Sequence, residues 1–179
     1  MNIFYLDPNP DTCAEMHCDK HVVKMIIEYA QLMSTAHRVL DGDQYLDKTA
    51  NGRNIKRWRL SNSNLEQVIY KASHINHPSA IWTRQSKQQY EFVYNLFQSL
   101  CKEYTHRYGK EHLTQTKLDS ILCDAPLNIE DNGFTNPPQA MPDDVKSVNT
   151  LEAYQAYYRN YKIDFAKWTN RVTPEFMYE

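Results

Sequence analysis

The spacing of apolar side chains constrains the fold more than any other feature of this sequence. Apolar residues recur every three or four positions from residue 13 to about residue 40 and again from Ser86 to Gly109, which is the period of a helix with one buried face. Thirteen tyrosines against four glycines are typical of helices packed with aromatic side chains rather than of a turn-rich β-protein. The sequence therefore predicts a mainly α fold, a compact helical bundle preceded by a short extended segment at Ile3 to Leu6.

One domain is expected over residues 1–179, because a chain of this length can bury a single core. Residues 1–123 are predicted to form the helical core, with one long helix from about residue 12 to residue 40. The polar segment 45–63 reads as a loop containing a short strand or turn. Residues 124–148 hold four prolines and one glycine and are predicted to be a long loop. Residues 149–179 are predicted to be a last helix and a tail.

Charge and composition narrow the class of protein. The net charge of −2 argues against attachment to nucleic acid by overall charge, although a local basic patch is compatible with it. The sequence has no signal-peptide pattern and no apolar window long enough for a membrane span, so a cytoplasmic protein without membrane contact is expected. The four cysteines form no CxxC pair, which predicts reduced thiols rather than a disulfide framework.

The segment CAEMHCDKHVVKMIIEY, residues 13–29, concentrates reactive side chains on the first predicted helix. The helical period divides these side chains and their neighbours into two stripes. The polar stripe contains Cys13, His17, His21, Lys24, Glu28 and Gln31. The opposite stripe, predicted to face the core, contains Ala14, Cys18, Val22, Met25, Tyr29, Leu32, Met33 and Ala36.

A metal site on the polar stripe is one alternative. Cys13, His17 and His21 follow one another at four-residue intervals, and histidines four apart on a helix can chelate one ion. The sequence lacks an HExxH motif, because Cys18 follows His17, and no second CxxC or HxxxH completes a ligand set. The main expectation is therefore a protein without a metal or other cofactor.

The run RNIKRWR, residues 53–59, is the strongest nucleic-acid feature. Its four cations can neutralise phosphates, and Trp58 between them can stack on a base or wedge into a duplex. The alternative is a solvated turn with Trp58 packed into the core.

The order of several short motifs resembles that of a known enzyme family. His21 and Glu28 lie seven residues apart, an Asn-Gly turn at 51–52 precedes the basic run, and a His-Pro break at 77–78 precedes the long aromatic helix. Over roughly its first 110 residues the chain resembles the phage endonuclease V-type pyrimidine-dimer DNA glycosylases, which are also AP lyases.

The resemblance implies a DNA repair enzyme that acts on damaged or modified bases in duplex DNA, phage-encoded and active in the host cytoplasm. The α-amino group of Met1 would be the nucleophile, Glu28 the catalytic acid, and His21 a group that positions substrate. The DNA would contact Lys24, Arg53, Lys56, Arg57, Trp58, Arg59 and His77.

The N-terminal amine and Glu28 can be compared with the groups that the chemistry of this family requires. Schiff-base chemistry needs an amine that is partly neutral near pH 7. An α-amino group, with an unperturbed pKa of about 8, meets this need better than a lysine side chain, whose unperturbed pKa is about 10.4. Glu28 could instead be a solvated residue paired with Lys24. The chain also begins with Met-Asn where the family begins with threonine, and no arginines flank Glu28. A non-catalytic module that binds nucleic acid or protein therefore stays open as an alternative, as does a metal-dependent enzyme.

Overall fold

The computed structural model describes residues 1–179 and contains seven α-helices and one two-stranded sheet. The first four helices and the two strands occupy the N-terminal half. They are α1 (Pro10–Met16), α2 (Asp19–Asp41), β1 (Asp43–Lys48), β2 (Asn54–Arg59), α3 (Ser63–Val68) and α4 (Pro78–Thr83). The others are α5 (Lys87–Tyr108), α6 (Leu113–Leu122) and α7 (Thr150–Lys162), with 3₁₀ turns at Asp143–Val145 and Glu175–Tyr178. The mainly α prediction is confirmed.

The helices α2 and α5 form the centre of the molecule. All eight residues predicted to face the core from the first helical segment are buried. Helix α5 follows the predicted bounds and ends at Gly109, which has φ of 65°. A residue with a side chain is strained at this φ, so glycine is suited to stop the helix here.

The single long first helix predicted from the sequence is wrong, because the chain breaks between α1 and α2. Nδ1 of His17 lies 2.7 Å from the carbonyl oxygen of Cys13, the acceptor that a continuous helix would give to the His17 backbone N–H. The indole N–H of Trp168 donates to the Met16 carbonyl, and the backbone N–H of Asp19 donates to the Lys167 carbonyl. These partners lie in the distant tail, so local periodicity could not reveal the break.

The predicted extended segment at the N-terminus is confirmed, and all four of its residues, Ile3 to Leu6, are buried. It joins no sheet. The Phe4 N–H donates to the Tyr29 hydroxyl, the Cys13 thiol donates to the Phe4 carbonyl, and the Gln155 amide donates to the Leu6 carbonyl. Side chains of three helices thus supply the hydrogen bonds that a buried backbone needs.

The segment predicted as a loop with a short strand or turn is an antiparallel hairpin, β1 with β2, in which Tyr45 lies opposite Arg57. Arg38, at the end of α2, anchors it. Its guanidinium donates to the Trp58 carbonyl, to the Glu66 carboxylate and to carbonyl groups at Glu66, Ile69 and Tyr70. This one buried side chain therefore fixes both the exit of the hairpin and helix α3.

The proline-rich segment 124–148 is ordered by polar contacts with the helical core. The Asp41 carboxylate accepts from the backbone N–H groups of Leu127 and Asn128, and the Tyr154 hydroxyl donates to the Pro138 carbonyl. After it, the Asn149 side chain caps α7 by accepting from the Leu151 N–H and donates to the Glu152 carboxylate. The Asn149 backbone N–H donates to the Ser147 hydroxyl, so the reciprocal bond of a capping box is not formed. Helix α7 ends at Lys162, and the residues after it form the tail.

Arg107 links three helices through its buried guanidinium, which donates to Glu103, to Asp19 and to the Glu15 carbonyl. We expect Arg107→Met to lower the free energy of unfolding by about 3 kcal/mol or more, because the buried Glu103 carboxylate loses the positive charge and the hydrogen bond that Arg107 supplies. Urea unfolding followed by circular dichroism measures this loss. Lys102→Met on the exposed face of α5 is the matched control, and equal losses in the two variants would contradict the assignment.

Candidate active site and nucleic-acid interface

The N-terminal amine and Glu28 lie together at the surface of α2. The Met1 nitrogen is 4.0 Å from Oε2 of Glu28, and Nζ of Lys24 is 3.1 Å from Oε1 of the same carboxylate. Met1 and Glu28 are mostly buried, with side-chain exposures of 9% and 19%, whereas Lys24 is 68% exposed. One carboxylate thus lies between a partly covered α-amine and a solvated lysine.

His77 lies at the margin of this group and begins α4. Its Nδ1 accepts from the backbone N–H of Ser79, so the ring is fixed as the N-terminal cap of the helix. Burial lowers the pKa of His77, the N-terminal ammonium and His74 lower it further, and the Glu28 carboxylate opposes them. His77 is therefore within electrostatic reach of the amine and the carboxylate.

An open groove with a volume of about 770 Å³ begins one helical turn beyond Glu28. Gln31 forms part of its lining, strand β2 forms one wall, and the irregular segment 70–75 forms the other. Its charged lining residues are Lys56, Arg57 and Lys71, with no carboxylate among them. Strand β2 pairs with β1 along one edge only. Its other edge faces the groove, and the Trp58 carbonyl on that edge accepts a hydrogen bond from Arg38.

The basic residues of the hairpin differ in exposure. Lys56 and Arg59 are exposed, and Arg53 lies in the exposed turn. Arg57 is partly buried, and its Nε has no hydrogen-bond partner. Arg59 lies over the Tyr45 ring, with 5.0 Å from its guanidinium carbon to the ring centroid. The cations therefore border the groove and the outer face of the hairpin.

Trp58 does not project from the hairpin. Its side chain is only 9% exposed and lies beside Gly42 at the end of α2. The prediction that Trp58 stacks on a base or wedges into a duplex is corrected accordingly, because the indole supports the base of the hairpin.

His21 also differs from its predicted position on an accessible stripe. It is 7% exposed, its ring stacks on Phe4, and its Nδ1 contacts the Tyr158 hydroxyl. Burial lowers the pKa of His21 to about 3, with His17, Lys162 and Lys24 acting in the same direction. His21 therefore holds the N-terminal segment against α7 and does not face the groove, which corrects its predicted role in positioning substrate.

The alternative metal site is not formed. The break after α1 places Cys13 on a different helix from His21 and leaves His17 between the two helices. No three His, Cys, Asp or Glu side chains converge in a position to hold an ion. The Cys13 thiol is instead a hydrogen-bond partner of the N-terminal segment, and burial raises its pKa to about 12.

Sequence reasoning missed several residues of the site. His74 and Lys71 line the groove from segment 70–75, which carries no local sequence motif. Gln31 had a signal, because it shares the polar stripe with Lys24 and Glu28, and its amide donates to the Lys71 carbonyl.

Models of protein families, curated proteins and solved structures yield no match to this chain. Among the helices, none combines the length and the apolar character needed to cross a membrane.

The buried histidines His17 and His21 predict an acid-sensitive fold. In the folded protein, burial lowers the pKa of His17 to about 4 and that of His21 to about 3. In the unfolded chain a histidine has a pKa of about 6.5. Between these values the unfolded chain binds more protons. The free energy of unfolding is therefore highest above about pH 6.5 and falls as the pH is lowered, by about 1.4 kcal/mol per pH unit for each histidine.

Urea unfolding between about pH 6.5 and pH 5 tests this expectation, because most carboxylates titrate below this range. His21→Gln should make the fall in the free energy of unfolding shallower than in the parent, while the exposed His106→Gln should leave it unchanged. An identical pH dependence in His21→Gln and the parent would contradict this account of the slope.

Proposed function

We propose that the protein is a DNA glycosylase with AP lyase activity that uses the Met1 α-amino group as its nucleophile and Glu28 as its proton-transfer group. The observation that carries the proposal is the 4.0 Å separation between the Met1 nitrogen and the Glu28 carboxylate. The resemblance to the endonuclease V-type family supports the same pair of residues independently of the distance.

The chemistry requires an amine beside a carboxylate. The amine attacks C1′ of the deoxyribose, and the bond to the base breaks with its electrons and a proton going to the base. As the ring opens, the ring oxygen takes the electrons of its bond to C1′ and a proton from the Glu28 carboxyl group or from water, which leaves a protonated imine between the amine and C1′. A carboxylate can then accept the proton from C2′ while the bond to the 3′ phosphate breaks, and water finally hydrolyses the imine. Glu28 is the only carboxylate in contact with the Met1 nitrogen.

Charge and shape support DNA as the substrate. The groove beside the amine presents Lys56, Arg57 and Lys71 without an opposing carboxylate, and phosphates bind such a surface by releasing counterions. The mild negative charge of the whole chain is compatible with this, because the cations are gathered on one side of α2. Lys24 contacts Glu28 on the side away from the groove, and His77 lies within electrostatic reach of the amine. We expect both to add contacts with the sugar-phosphate backbone.

A binding module without chemistry is the second candidate, and the hairpin favours it. All six residues of β1 are exposed, and Arg53, Lys56 and Arg59 face solvent. Such a hairpin can bind nucleic acid whether or not the amine reacts. The two candidates differ in whether a covalent bond to the sugar forms.

Borohydride trapping separates the two candidates. Protein with a native N-terminus, confirmed by intact mass, is incubated with duplex DNA containing an abasic site and then with borohydride, which reduces an imine to a stable amine. We expect an adduct that peptide mass spectrometry locates at Met1. Glu28→Gln should reduce the rate of adduct formation about 100-fold or more, as loss of a general acid–base group does.

Two controls complete the experiment. Lys24→Arg should retain the adduct at Met1, because the lysine is not the nucleophile, whereas an N-terminal extension should abolish it. DNA binding without any adduct on abasic or ultraviolet-damaged duplex would reject the lyase and favour the binding module.

A further inference from the structure

A second cavity lies on the opposite side of α2 from the amine. Its volume is about 570 Å³, and it is bounded by the end of α2, the start of α3, the end of α6 and the beginning of segment 124–148. His37, which lines it, is nine residues after Glu28, or two and a half helical turns. The two sites therefore face away from each other, and nothing in the proposed glycosylase chemistry uses the second one.

The protonation of His37 follows from its neighbours. Its Nε2 lies 3.1 Å from the Asp124 carbonyl oxygen, which can only accept a hydrogen bond. It also lies 2.9 Å from the Tyr90 hydroxyl, which donates its own proton to the Leu122 carbonyl. Nε2 must therefore carry the hydrogen. Burial lowers the pKa of His37, so the ring is neutral and Nδ1 is a hydrogen-bond acceptor.

This acceptor is buried and has no partner within the chain. His37 is 3% exposed, and its Nδ1 makes no hydrogen bond. The nearest charged atom is Oδ2 of Asp41, 4.0 Å away, which is also an acceptor. The Asp41 carboxylate is held in place by Leu127 and Asn128. Two fixed acceptors that face each other at this distance call for a donor with two N–H or O–H groups between them.

The lining of the cavity selects among such donors. It contains the carboxylates of Asp41 and Asp124 and no lysine or arginine, so it favours a positive charge. Leu60, Leu65 and Ile121 supply apolar walls. The two acceptors lie 4.0 Å apart, so a nitrogen about 2.9 Å from both would see them at roughly a right angle. Two N–H bonds of an ammonium group, at about 109° to each other, reach both acceptors with a bend of roughly 10° in each hydrogen bond.

The geometry points to a binding site for a small primary ammonium compound with an apolar body. One N–H donates to His37 Nδ1 and another to Asp41 Oδ2, while the hydrocarbon part contacts the leucine and isoleucine walls. The site is independent of the amine at Met1 and would persist if the glycosylase proposal failed.

Nuclear magnetic resonance of protein with ¹⁵N-labelled histidine tests this site directly. The probe is n-butylammonium chloride, with n-butanol and tetramethylammonium chloride as matched controls that lack the charge and the N–H groups, respectively. We expect the free protein to show His37 with hydrogen on Nε2, and butylammonium to shift the Nδ1 resonance in a saturable way. The two controls should bind at least about tenfold more weakly, because a hydrogen bond to a charged group is lost.

Two substitutions at exposed Ser61, which lines the cavity, keep the test independent of folding defects in the core. Ser61→Lys adds a cation at the cavity mouth and should weaken butylammonium binding, whereas Ser61→Met adds a similar length without charge and should not. Hydrogen on Nδ1 in the free protein, a shift of equal size and midpoint with all three compounds, no saturable shift, or equal effects of the two substitutions would each overturn the inference.

Discussion

Burial of the extended N-terminal segment is the constraint on which the rest of the molecule depends. Ile3 to Leu6 lie inside the core without a neighbouring strand, so their backbone groups need side-chain partners. The Tyr29 hydroxyl and the Cys13 thiol supply two of them, which ties α1 and α2 to the same segment. Met1 precedes this anchored stretch by two residues, and its nitrogen lies 4.0 Å from the Glu28 carboxylate.

The same constraint explains why residues 13–29 contribute some side chains to the core and others to the surface of the protein. The break after His17 turns Cys13, His17 and His21 inward, where they support the N-terminal segment and α7. Farther along α2, Lys24 is exposed and Glu28 is only partly buried. Helix α2 consequently separates two regions of different charge, a cationic groove beside the amine and a cavity with two carboxylates around His37.

Elements with a strong local signal could be predicted from the sequence. Helix α5 has apolar residues at helical spacing and a glycine stop, and the capping residues of α7 are adjacent in sequence. The pairing of Met1 with Glu28 was accessible only through a family resemblance, because no local pattern places a chain start over a helix. The break in the first helix, the anchoring by Arg38 and the burial of Trp58 depend on partners 16 or more residues away, which propensity and periodicity do not encode.

Zero-length crosslinking tests the central claim, that the buried segment holds the α-amine against Glu28. A carbodiimide activates carboxylates and joins them only to amines in direct contact. In Lys24→Arg, which removes the competing lysine amine, the account predicts an amide between Met1 and Glu28 as the main crosslink of the N-terminus, found by peptide mass spectrometry. A free Met1 amine, or one joined chiefly to other carboxylates, would contradict it.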